Sequence, residues 1–225
     1  MELAIDTSTD FASIALSHRG VALTELTWRV GQNHTVELVP AIEHMLSQAK
    51  VDQKTLEAIF VAKGPGSFNG LRVGVSTAKG LAFALNIPLL GIGTLEIEAY
   101  PFAFTGLLLC PVHSAGRGEI ATALYRQDSE WRCLQEEYIT TMEALCQRLD
   151  EKTVFCGEIP EAVIPQLQQA LGERAIIPSA EARWRRASYL AALGWRRFEK
   201  GECDNPATLQ PLYLRQPPIT LRKVK

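Results

Sequence analysis

The chain has 225 residues, a length that admits one or two domains. Hydrophobic residues at 47% against 21% charged exclude wholesale disorder and leave enough apolar side chain for a core without staples. With 23 Lys and Arg against 25 Asp and Glu, the net charge of −2 excludes a chain that holds nucleic acid by bulk charge alone, so any such contact needs a local basic patch.

The chain opens on a short apolar strand at residues 3–5, closed by the turn-forming run Asp6-Thr7-Ser8-Thr9-Asp10. Residues 11–17 and 21–28 alternate apolar and polar side chains around Arg19-Gly20, which predicts a three-strand meander. After Gly31 the period changes. Leu38, Ile42, Met45 and Ala49 recur at helical spacing. The apolar run 56–61 reads as a buried strand, 67–85 as a long helix, 87–92 as a strand and 94–104 as a helix. The second half repeats the order: strands over 107–112, 119–125 and 131–139, a helix over 140–149, a strand at 154–156, a helix from Pro160 to Leu171, a strand at 174–177 and a last helix over 180–200.

Leu3 matches Leu107 at an offset of about 104 residues, so the chain reads as two successive βββαβαβα units. Each unit implies a mixed sheet, antiparallel in the meander and parallel after it, with right-handed crossovers. The predicted division is 1–104, 105–203 and an irregular tail, 204–225, rich in proline, which Leu212-Tyr213-Leu214 could still tie down. One larger α/β domain with a rearranged C-terminal end is the alternative.

The five cysteines form no C-x-x-C pair and stand apart from the histidines, which argues for buried thiols in a reducing compartment. No signal peptide and no apolar run long enough to span a bilayer is read, and a cytoplasmic protein is expected.

The segment Lys63-Gly64-Pro65-Gly66-Ser67-Phe68-Asn69-Gly70-Leu71-Arg72-Val73-Gly74 follows a strand and opens a helix. Its glycines permit a sharp turn, Ser67 can cap the helix, and the free N–H groups there suit an anion. It is neither a Walker A loop nor a dinucleotide fingerprint. A tight packing turn explains it equally well. Asp6, Thr7 and Ser8 could hold a metal–phosphate through water, or simply close a turn. Residues placed near a nucleotide or phosphate are therefore Asp6, Thr7, Ser8, Gly64, Gly66, Ser67, Phe68, Asn69 and Arg72.

Within the same helix Gly70, Gly74, Thr77, Ala78 and Leu81 fall on one line, so another backbone must approach closely. That neighbour is either this chain's own sheet or a second subunit. His34 and His44 on the preceding helix lie about 80° and 15 Å apart, too far to share a metal, and read as surface histidines. His113, at the strand end of the second unit, shows no obvious acid partner. The last predicted helix carries six basic residues against two acids, with Trp184 and Trp195 among them, which suits either an RNA contact or a solvated face.

The Asp-Thr-Ser meander, the helix with His34 and Pro40, the Gly64–Gly74 block, Gly91-Ile92-Gly93-Thr94-Leu95-Glu96 and Gly118-Glu119-Ile120 resemble the bacterial TsaB (YeaZ) family. The likeness covers the first 125 residues and returns at Pro211-Leu212-Tyr213-Leu214-Arg215. Asn69 stands where the family has Thr, and His113-Ser114-Ala115-Gly116-Arg117 where it often has Asp-Ala-Arg. The resemblance implies two RNase H-like subdomains of the actin, Hsp70 and sugar-kinase (ASKHA) type. It implies a non-catalytic subunit, without metal or tightly bound cofactor, that pairs with the paralogue TsaD. TsaD transfers threonylcarbamoyl to a tRNA adenosine, and the ATPase TsaE joins the complex. ATP or ADP would sit at a subunit interface, tRNA would be met indirectly, and a homodimer could use the same face. The face implied comprises His34, Glu37, Ala41, His44, Gly70, Leu71, Gly74, Thr77, Ala78 and Leu81. The competing reading is a stand-alone ATP-dependent phospho- or carbamoyl-transferase using Asp6 and the Gly64–Arg72 loop. A peptidase finds no nucleophile–base pair.

Overall fold

The computed structural model describes residues 1–215. Two five-stranded sheets follow one another along the chain. The first contains β1 (Glu2–Asp6), β2 (Phe11–His18), β3 (Val21–Arg29), β4 (Ala58–Gly64) and β5 (Leu89–Gly93), in the order β3-β2-β1-β4-β5. The second contains β6 (Leu108–Gly116), β7 (Glu119–Gln127), β8 (Trp131–Thr141), β9 (Thr153–Cys156) and β10 (Ala175–Ile176), in the equivalent order β8-β7-β6-β9-β10. In both, the meander is antiparallel and the later strands are parallel. The two βββαβαβα units read from the sequence are present.

On one face of the first sheet lie α1 (His34–Ala49) and α2 (Phe68–Leu85), with Leu3, Ile5, Ile14 and Leu16 meeting Leu38, Ile42, Met45 and Val75. Ser67 caps α2 by accepting from the Gly70 N–H, and Asn86 closes it in the left-handed region. The second sheet carries α4 (Met142–Cys146) and α5 (Ile164–Leu171) on one face, where Leu145 and Leu167 meet Val112 and Phe155. Between the two sheets runs α3 (Thr94–Ala99), buried along its whole length. Its Ile97 packs toward the first sheet and Leu95 and Ala99 toward the second.

Two expectations differ from the structure. The helix read over 180–200 is only α6 (Ala187–Phe198). A 3-10 turn at Glu181–Arg183 and an extended stretch precede it, so its basic residues form no single stripe. Nor does α6 stay with the second sheet. Leu190, Ala191 and Leu193 pack on Phe60, Leu90 and Ile92 of the first, and Gly194 lies against the Phe60 ring. The reason is that the first sheet leaves this apolar face uncovered by its own helices. The described part of the tail is irregular and tied down. Asp204 bridges to Leu89, and Leu209 enters the core under α1 and α2. Pro217 and Pro218 lie outside the described residues.

Candidate functional site

The crossing of the two sheets leaves a cleft of about 840 Å³. Its lining comes from every part of the chain: Ser8 and Phe11 after β1, Ser67 at the head of α2, Glu98 of α3, His113 of β6, and Trp184 and Arg185 before α6. Sheet topology explains this, because β1 and β6 are the central strands of their sheets and deliver their C-terminal ends to the same place.

At the floor lies a buried ionic network. Arg185, with its side chain 9% exposed, is 3.0 Å from Glu98 and 3.1 Å from Glu158, and 3.8 Å from Asp6. It also donates to the Ser8 hydroxyl. The Asp6 carboxylate accepts from the Ser8 backbone N–H at 2.9 Å and from the Ser8 hydroxyl, which fixes the turn after β1. On the far side, Glu98 pairs with His113 at 2.5 Å. Burial opposes the charge on Glu98, but His113 and Arg185 together outweigh it and hold the carboxyl below the ordinary glutamate range. Burial likewise opposes the Arg185 charge, and Glu98, Asp6 and Glu158 outweigh it, raising its pKa further. Asp6 Oδ2 and Arg185 Nε remain without a hydrogen-bond partner among the described residues.

The sequence reading of His113 as lacking an acid is therefore wrong. Its acid is Glu98, 15 residues earlier on the last helix of the first unit. An acid within the apolar context Leu95-Glu96-Ile97-Glu98-Ala99 was the available signal. No local signal singles out Arg185, which stands in a stretch whose basic residues suit either an RNA contact or a solvated face. Two more arginines of the same stretch, both more exposed than Arg185, are also paired, Arg186 with Glu25 and Arg197 with Glu96.

The residues placed near a phosphate separate into three groups. Ser8, Gly66 and Ser67 line the cleft. Asp6, Thr7 and Gly64 lie behind them, buried. Asn69 and Arg72 are exposed on the first turn of α2, and Phe68 lies partly buried there under the Arg72 guanidinium, 3.8 Å from its ring centre.

The candidate docking face is altered more sharply. Gly70, Leu71, Gly74 and Ala78 are buried in their own chain. A Cβ on Gly70 would strike the Thr7 carbonyl oxygen, and one on Gly74 the Thr7 hydroxyl. The Thr7 hydroxyl donates to the Gly70 carbonyl at 2.7 Å, so the glycines admit the end of β1, not a second subunit. His34, read as a surface residue, is 4% exposed, with Nε2 2.8 Å from the Thr9 carbonyl. Glu37 is half-buried and accepts from the Trp28 indole at 2.9 Å. Ala41, Thr77 and Leu81 are half-buried, and His44 is exposed. What α1 and α2 show outward is a different set: Val36 (68% exposed), Val39, Gly80 with open space above it, and Phe83 (84% exposed).

A protein-family model described as "TsaD: tRNA N6-adenosine threonylcarbamoyltransferase" matches residues 28–212. A Bacillus subtilis (strain 168) protein, "tRNA threonylcarbamoyladenosine biosynthesis protein TsaB", is 31% identical over 220 residues, 95% of this chain and 93% of that one. The chain belongs to the TsaB (YeaZ) family. The Escherichia coli (strain K12) protein of the same name is 27% identical over 95% of this chain and 94% of its own. The solved structure "YeaZ from Pseudomonas aeruginosa" superposes with a TM-score of 0.79 at 26% identity, covering 95% of this chain and 99% of that one. A Streptococcus pneumoniae ROK family protein shares only the fold (TM-score 0.53, 11% identity, covering 89% and 99%). The fold is thus two tandem ASKHA-type subdomains. Among the described residues no helix is long and apolar enough to cross a membrane.

Proposed function

We propose that this chain is a non-catalytic subunit in tRNA N6-threonylcarbamoyladenosine biosynthesis, docking through the outer faces of α1 and α2 on a TsaD-type transferase in the cytoplasm. The relatives' names support the process. The observation that carries the non-catalytic reading is Arg185. The two carboxylates best placed for phosphoryl chemistry, Asp6 and Glu98, are both engaged by the chain's own buried guanidinium. Lying 3.0 Å from Glu98 and 3.8 Å from Asp6, this cation competes with Mg²⁺ for both carboxylates.

In this reading the exposed apolar residues Val36, Val39 and Phe83, with Gly80 and the open space above it, supply the docking face. A second copy of this chain is the competing occupant. TsaE and ATP join the assembled complex, tRNA is met through the transferase, and ATP or ADP at the junction would find Ser67, Asn69 and Arg72 on this chain's side.

Co-elution with the purified transferase tests the proposal. Gly80→Arg combined with Val36→Glu should abolish association while leaving thermal unfolding of the isolated chain unchanged. Undiminished co-elution would overturn the docking face. The cleft itself, with Ser67 at a helix N-terminus, favours the second reading, an ATP-dependent transferase. Calorimetry of the lone chain with ATP and Mg²⁺ separates the two. Micromolar binding with turnover, lost in Asp6→Asn, would replace the scaffold reading.

A further inference from the structure

The segment after α6 crosses the molecule in a way that its lack of regular structure conceals. Leu209 is buried beneath α2, and the Lys79 ammonium donates to its carbonyl at 3.1 Å. The Leu212 N–H then donates to the Lys63 carbonyl at 2.6 Å. This brings the Leu212 carbonyl down on Gly64, where a Cβ would collide with it and where φ is +110°. Only glycine meets both conditions. Tyr213 follows, its ring 5.1 Å from that of Phe68, and its hydroxyl accepts from Arg72 Nε at 3.3 Å. Arg215 then reaches the other lobe. It donates to the Ala115 carbonyl at 3.1 Å and pairs with Glu119, on either side of the β6–β7 turn. Residues Leu212 to Arg215 meanwhile form one wall of the cleft.

We propose that residues 209–215 are a strap coupling the first turn of α2 to the β6–β7 hairpin, so that a partner seated on α2 sets the position of the hairpin at the cleft mouth. The last clause rests on the docking face proposed above; the coupling itself does not. The physical basis is continuity. Seven residues are pinned at Leu209 by burial, at Leu212 by a backbone bond, at Tyr213 by an aromatic and a polar contact, and at Arg215 by charge. A shift at Phe68 and Arg72 must move Tyr213, and Tyr213 is two residues from the group that holds the hairpin.

Hydrogen exchange of the full-length chain, read by mass spectrometry, tests this. Arg215→Ala touches only the hairpin directly, yet exchange in the first turn of α2 should accelerate about fivefold, the lower end of ordinary coupling, along with that of residues 114–120. Tyr213→Phe, which removes one hydroxyl and leaves the ring to pack, should accelerate the hairpin in return. If each variant perturbs only its own side, the strap is passive and the proposal falls. With the transferase added, protection should appear at both α2 and the hairpin in the unaltered chain but at α2 alone in Arg215→Ala. Protection of α2 alone in the unaltered chain would overturn the partner clause. Absence of any protection by the transferase would overturn the docking face instead, with the coupling in the isolated chain still standing.

Discussion

Replacing Arg185 by Met would leave the buried Asp6 carboxylate without its cation and Glu98 with His113 alone. Breaking a buried pair from one side costs about 3–5 kcal/mol, far more than an exposed pair is worth. Urea unfolding of Arg185→Met should show a loss of that order; a change under 1 kcal/mol would mean that water already solvates the network. The pH dependence follows from Glu98. Its carboxyl titrates lower folded than unfolded, so the folded protein binds fewer protons. The stabilisation is fully present above the ordinary glutamate value of about 4.3 and is lost as the pH falls below it. A urea-midpoint profile should therefore drop more steeply on acidification in the unaltered chain than in Glu98→Gln.

At the scale of elements, α2 shows how the glycines of one helix can have opposite fates. Gly70 and Gly74 face inward against Thr7, whereas Gly80 faces open space. Helical spacing reveals that a stripe exists but not which side of the helix the sheet occupies. Gly74→Leu should consequently damage the fold itself. Overpacking of this kind costs roughly 1–3 kcal/mol or more, and here the obstruction is the end of β1. Chemical denaturation should report the loss in the isolated chain. Gly80→Leu, by contrast, should leave stability within about 1 kcal/mol, or raise it slightly, since glycine is a poor helix former. The break before α6 has a similar origin. The stretch 184–186 is extended because Arg185 must turn into the cleft while Ala187 begins a helix on another sheet, and no local signal records either demand.

For the whole molecule, the order of the chain and the order of the packing differ. α6 and the strap follow the second sheet in sequence yet cover the first. Residues 1–104 alone would expose Phe60, Leu90 and Ile92 where α6 should lie. That fragment is expected to lack a cooperative thermal transition, and the full chain to unfold in a single one. A sharp, fully reversible transition for the fragment, followed by circular dichroism, would show the first lobe to be self-sufficient.

Hydrophobic periodicity, turn residues and the internal repeat determined the strands, the helices and the two βββαβαβα units, because these depend on side chains within a few positions of one another. The same local chemistry placed Ser67 at a helix start and Asp6 and Ser8 at a strand end. Which arginine faces Asp6, which acid meets His113, and what lies against Gly70 were decided only in three dimensions. Those contacts join residues up to 179 positions apart (Asp6 with Arg185). Their energy comes from desolvation and charge at the junction of two sheets, an environment that no stretch of the chain contains by itself.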